Sequence, residues 1–137
     1  MNNNNIINKM KEYENNRIIH MYEHNGNLYI HVYENISTFV LYGCKGVKYN
    51  NTLHCYTTKT IKHCNDIKIG NAKEFNKKAR IYGKRYGVAC YRAIYAEIYL
   101  SKYFDGKHNK RNTKHGKGDI VVNGEPIEIK FGNEITI

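Results

Sequence analysis

The fold class expected from this sequence is α+β: an N-terminal antiparallel β-meander, a long helix and a C-terminal β-hairpin. Three observations carry that expectation. Asn25-Gly26 and Asn123-Gly124 each lie between stretches of alternating apolar and polar residues, the strongest short-range signal for a two-residue hairpin turn. Residues 72–104 contain no Pro, and only Gly83 and Gly87 interrupt them, which fits one long helix or two broken near the glycines. A chain of 137 residues suits a single domain with its own core. Residues 1–70 make its mostly β part, and residues 71–137 its helix and hairpin.

The elements follow in order. Residues 1–16 are Asn-rich, with a weak helical pattern around Ile6, Ile7 and Met10, and read as a frayed or short helical start. Residues 17–33 read as a hairpin. A turn at Asn25-Gly26 sets Met21 opposite Ile30 and Ile19 opposite Val32 on an apolar face. Tyr22 then lies opposite Tyr29, and His20 opposite His31, on the other. Strands are expected at 36–42, 46–49 and 53–61, separated by residues 43–46 and by Asn50-Asn51. In the helical region Ala89, Ala93, Ala96, Leu100 and Phe104 form one stripe at 100° per residue. Tyr91, Arg92, Tyr95, Tyr99 and Lys102 lie opposite.

Charge narrows the function classes. Twenty-two Lys and Arg against 12 Asp and Glu give a net charge of +10, with 13 Tyr and no Trp. Such a chain fits a polyanionic partner, nucleic acid first. Part of the Lys excess also fits an AT-rich coding sequence, along with the abundance of Asn, Ile and Tyr. No apolar run is long enough to span a membrane, and Met1 to Asn5 lack the pattern of a signal peptide. An intracellular, cytoplasmic protein with reduced cysteines is expected. Cys44, Cys55 and Cys64, with His54 and His63, offer zinc-ligand types. They lack Cys-X-X-Cys spacing, and adjacent His-Cys pairs on a strand point to opposite faces. Packed thiols are the simpler reading.

The segment that carries chemistry is the C-terminal hairpin. A turn at Asn123-Gly124 sets Val122 opposite Glu125 and Asp119 opposite Glu128. Ile120, Val122, Ile127, Ile129 and Phe131 then share a buried face. Asp119, Val121, Pro126, Glu128 and Lys130 share the other, taken to be exposed. Opposed side chains have Cβ atoms about 4.5–5.5 Å apart. Two carboxylates that close repel, and a divalent cation between them turns repulsion into a site of hard oxygen ligands. Lys130, along the same face, is placed to hold an attacking water or a phosphate oxygen.

Asp119 followed by Glu128-Ile129-Lys130 resembles the PD-(D/E)XK nuclease superfamily, which includes restriction endonucleases and Holliday-junction resolvases. The resemblance covers about residues 79–131 and implies a restriction-endonuclease-like core. It also implies Mg²⁺ (or Mn²⁺) bound by Asp119 and Glu128, with Lys130 assisting hydrolysis. Many members add a Glu from the helix before the hairpin, and Glu97 matches that position. It is the one acid between Glu74 and Asp105, and on the apolar half of its helix it needs a partner: the metal, or an Arg or Lys. Gly118 replaces the family's Pro, a common variation. The family core continues with a helix and another strand, whereas seven residues follow Lys130 here. The sheet is therefore expected to be completed by the N-terminal strands or by a homodimer.

Lys107, Lys110, Arg111, Lys114, His115 and Lys117 form a basic loop that leads into the hairpin. It suits a phosphate backbone held without sequence readout, or a solvated turn. The expectation is a metal-dependent nuclease, an endonuclease, that hydrolyses DNA phosphodiesters, with RNA left open as a substrate. The rival is a non-catalytic nucleic-acid-binding protein that uses the loop and the Tyr/His hairpin face. For a small inhibitor protein of a mobile element, only size and composition argue.

Overall fold

The computed structural model describes residues 15–42, 46–49, 52–55, 66–109, 118–132 and 134–136. In chain order these form β1 (Arg17–His24), β2 (Asn27–Tyr33), α1 (Ile36–Tyr42), β3 (Gly46–Tyr49), β4 (Thr52–Cys55) and β5 (Ile67–Asn71). There follow α2 (Ala72–Tyr86), α3 (Tyr91–Tyr103), β6 (Lys107–His108), β7 (Ile120–Val122), β8 (Glu125–Phe131) and β9 (Glu134–Thr136). The class is α+β, as expected. A six-stranded sheet has the order β5-β2-β1-β8-β7-β6, and β4-β3-β9 form a second sheet of three strands.

Both Asn-Gly turns form where expected. Asn25 and Asn123 adopt φ of 50° and 52°, each followed by a glycine at 78°, the left-handed pair that a two-residue hairpin turn requires. The first hairpin has the expected register, Ile19↔Val32, His20↔His31, Met21↔Ile30 and Tyr22↔Tyr29. Val32 nonetheless remains 45% exposed.

The sheet is completed from the N-terminal half. β1 pairs in parallel with β8, Ile18↔Glu128 and His20↔Lys130 among the partners. β8 therefore has neighbours on both sides and offers no open edge to a second copy. The edges of the large sheet are β5 and β6.

Two expectations are corrected. Residues 36–42 form a helix, not a strand. Their β-branched residues favour a strand, but Asn35 caps a helix: its Oδ1 accepts from the Thr38 amide at 2.9 Å and from the Thr38 hydroxyl at 3.0 Å. Such a cap is worth about 1 kcal/mol. Ile36 and Phe39, one helical turn apart, are then both buried. The meander is also not continuous, because β3 and β4 join β9 rather than the first hairpin, and β5 takes the third antiparallel place beside β2. Of the strand expected over 53–61, residues 56–61 lie outside the described residues, as do residues 1–14 of the helical start. Of the two readings of the helical region, the second holds: it is two helices, broken at Gly87, whose amide donates to the Gly83 carbonyl.

One face of the sheet packs Ile19, Met21, Leu28, Ile30, Ile120, Ile127 and Ile129 against Ala72, Phe75, Ala79, Ala96 and Leu100 of α2 and α3. α3 buries a different arc from the expected stripe: Ile94, Ala96, Leu100 and Ser101 are buried, whereas Ala89 and Ala93 are exposed. Tyr91, Tyr95 and Tyr99 turn inward because α3 packs on α2 as well as on the sheet. Tyr99 keeps its hydroxyl satisfied by donating to the Ile69 carbonyl at 3.0 Å, as a half-buried tyrosine must. On the opposite face Ile18, His20, Tyr22 and Tyr33 are buried, with Phe39 of α1 against His20 and Tyr33.

Candidate active site

β8 carries Glu128 and Lys130 on the face opposite to α2 and α3, beside Ile18 and His20 of β1. Expected on an exposed face, Glu128 is instead 5% exposed and Lys130 half-buried. The reason is the parallel neighbour β1, which the hairpin alone does not announce. Solvated surface decoration therefore does not describe Glu128.

Asp119 departs from the expected register. The ladder ends at Ile120↔Ile127, and Asp119 bends away just before it. Its amide donates to the Ile127 carbonyl at 2.9 Å. Its Oδ2 accepts from the Ile129 amide at 2.8 Å, so the carboxylate takes the place of a missing ladder bond. Gly118 makes the bend possible, with φ of 79° and a Cβ position only 2.6 Å from the Ile127 nitrogen. No other residue type fits both conditions.

The bend still leaves Asp119 near enough to Glu128 to act on its carboxyl. Burial, then the Asp119 charge, pushes the Glu128 carboxyl up to about 7, opposed by Lys130. Two acids share one site and, without a cation, one of them holds its proton close to neutral pH. Asn16 adds a second signal. It is 4% exposed, and it acts on Glu128 to favour the charged form. Yet its Nδ2 has no hydrogen bond of normal geometry among the described residues. A buried donor left without a partner costs roughly 1–3 kcal/mol.

Glu97 is 21% exposed on its side chain and contacts His108 of β6, Nε2 to Oε1 at 3.0 Å. Burial pushes the imidazole down, against the pull of Asp119. At the contact Nε2–H donates to the Glu97 carboxylate. A histidine thus stands beside Glu97, where a metal or an Arg or Lys was expected. The segment after β6 grips the bend, Asn109 donating from its amide to the Asp119 carbonyl and from Nδ2 to the Gly118 carbonyl, each at 2.9 Å. Glu97 therefore reaches toward Asp119 through His108 and does not join the carboxylate pair directly. Among the described residues no three His, Cys, Asp or Glu side chains are gathered closely enough to hold an ion.

The donor set nonetheless fits a hard cation such as Mg²⁺. That ion takes one or two protein carboxylates and completes its shell with water and phosphate oxygens. Asp119 and Glu128 supply the carboxylates, and the Asn16 donor faces the same space.

Of the basic loop, Lys107 is exposed on β6, while Lys110, Arg111, Lys114, His115 and Lys117 lie outside the described residues. So do Cys44, His63 and Cys64 of the zinc candidates. A second polar cluster went unforeseen on the same sheet face. Asp66, whose side chain is fully covered, accepts from the Tyr22 hydroxyl and from His31 Nδ1. It holds β5 beside β2, and burial with the Asp66 charge pushes Tyr33 up to about 12. Asn16 and Asp66 each lie outside any recognisable spacing. The need of Glu97 for a partner was the one signal that pointed toward His108.

No protein-family model, curated protein or solved structure matches the chain.

Proposed function

We propose that the protein is a metal-dependent nuclease that hydrolyses DNA phosphodiester bonds at Asp119, Glu128 and Lys130, a member of the PD-(D/E)XK superfamily. The single observation that carries this reading is the pair of neighbouring carboxyls, one of them buried and proton-retaining, with a lysine two residues along the strand. A buried like-charge pair destabilises a fold, and such an arrangement is expected where function sets the residues. A divalent cation held there would supply Lewis-acid activation of the phosphate and a water nucleophilic at neutral pH. Lys130 would orient that water or neutralise charge on the phosphate. Glu97 and His108 would steady the bend at Asp119, and the Asn16 amide would donate to a phosphate oxygen or to an ordered water. Lys107 and the basic loop would hold the flanking backbone.

The second reading is a nucleic-acid-binding protein without catalysis, which the net charge of +10 favours. One experiment separates them: incubation of plasmid, linear and branched DNA with the protein, in EDTA and in millimolar Mg²⁺ or Mn²⁺. Cleavage that needs the metal supports the nuclease. Salt-sensitive binding without cleavage under every condition contradicts it.

A further inference from the structure

The outer face of α2 carries a line of cations that the proposed catalytic site does not use. Lys73, Lys77, Arg80 and Lys84 recur at intervals of four, three and four residues. At 100° per residue they fall within about 60° of one another. They run about 16 Å along the axis at 1.5 Å per residue. All four are exposed, and none has an ion-pair partner among the described residues. The helix's single acid, Glu74, lies off the line and pairs with Lys78 at 3.7 Å. The opposite side of α2, Ala72, Phe75, Ala79 and Gly83, is buried in the core. The helix is thus held rigidly with its cations outward, on the far side of the sheet from Glu128.

We infer that this line is a second nucleic-acid contact, one that binds the phosphate backbone of a duplex without reading its sequence. Evenly spaced, unpaired cations match a polymer with one negative charge per about 1.7 Å of duplex axis. An anionic membrane fits less well. An interfacial helix must bury an apolar face in the lipid, and the apolar face of α2 is already committed to the core. Its outer surface exposes only Ile81 and Tyr86 as large hydrophobics. Contacts of phosphate to Lys and Arg position a protein on DNA but do not specify sequence. With the catalytic site on the other side of the sheet, the two surfaces would engage separate stretches of a long or branched substrate.

The inference shares with the proposed function only the premise of a nucleic-acid partner, and it is tested without catalysis. Binding of the full chain to a fluorescent 20-base-pair duplex is measured in EDTA over a range of salt concentrations. The parent is compared with Lys77→Gln/Arg80→Gln, in which glutamine keeps the helix propensity. A control, Lys68→Gln/Lys102→Gln, removes the same charge from exposed positions elsewhere. The expected result is weaker binding by the stripe variant, with a log–log salt slope shallower by about 2, at about 0.9 per lost phosphate contact. The control slope should match the parent's. Equal slopes for parent and stripe variant, or an equal loss in the control, would overturn the inference. So would a parent that ignores the duplex but binds phosphatidylserine vesicles. Cleavage with an unchanged stripe slope removes this inference alone; a stripe-dependent slope without cleavage removes the nuclease alone.

Discussion

Glu128 is the residue on which pH acts most directly. Its folded pKa, about 7, lies above the ordinary carboxyl value. The protonated form is therefore favoured by folding, and its contribution is fully present below about pH 4.5. It is lost as pH rises through about 7. A full shift of that size corresponds to something on the order of 3 kcal/mol. Metal-free protein should thus lose stability between pH 5 and 8, and Glu128→Gln should flatten that slope in thermal unfolding; a parallel decline in the variant would place the titration elsewhere. Asp119→Asn addresses the same pair from the other side. The variant removes one charge and keeps an acceptor for the Ile129 amide. At pH 8 in EDTA it should be more stable than the parent by about 1 kcal/mol, the upper end of what a cross-strand pair gives. Millimolar Mg²⁺ or Mn²⁺ should reverse the order, since a cation that binds only the folded parent stabilises it by mass action. Equal metal responses in the two proteins would show that Asp119 is not a ligand.

At the scale of elements, the β7–β8 hairpin depends on the bend before it. Gly118→Ala places a Cβ at positive φ and against the backbone of Ile127 and Ile120. It should lower stability by about 1–3 kcal/mol, read as a lower denaturant midpoint at unchanged slope. Full stability would mean that the bend is not where Asp119 is aimed. The two Asn-Gly turns and the first hairpin's register were legible because a short loop and an alternating pattern specify them locally. The helix at Ile36–Tyr42 was not, since β-branched residues there outvoted a single cap at Asn35. Asp119 and Glu128 were legible as a pair, but not their burial. That burial comes from β1, about a hundred residues away in the chain, and no local pattern encodes a parallel pairing at such a distance.

For the whole molecule, the consequence of that long-range pairing is that the site belongs to both halves of the chain. Glu128 and Lys130 stand against Ile18 and His20, and His20 Nε2 donates to the Gly132 carbonyl, fixing the chain just beyond Lys130. A fragment of residues 66–137 keeps the whole Asp…Glu-X-Lys motif but leaves β8 with an open edge and loses half the core. It should not fold cooperatively, as judged by circular dichroism and thermal unfolding; a cooperative fragment would show that β1 is dispensable. The central claim is that Asp119, Glu128 and Lys130 form a hydrolytic metal site. It is tested most directly by cleavage of DNA in Mg²⁺ or Mn²⁺ by the parent and by Lys130→Met, which keeps the side chain's length in its half-buried place. The expected result is metal-dependent cleavage by the parent and at least about a hundredfold slower cleavage by the variant, the scale of losing one preorganised charge, with Mn²⁺ affinity retained. Equal rates in the two proteins, or no cleavage by the parent with either metal, would contradict it.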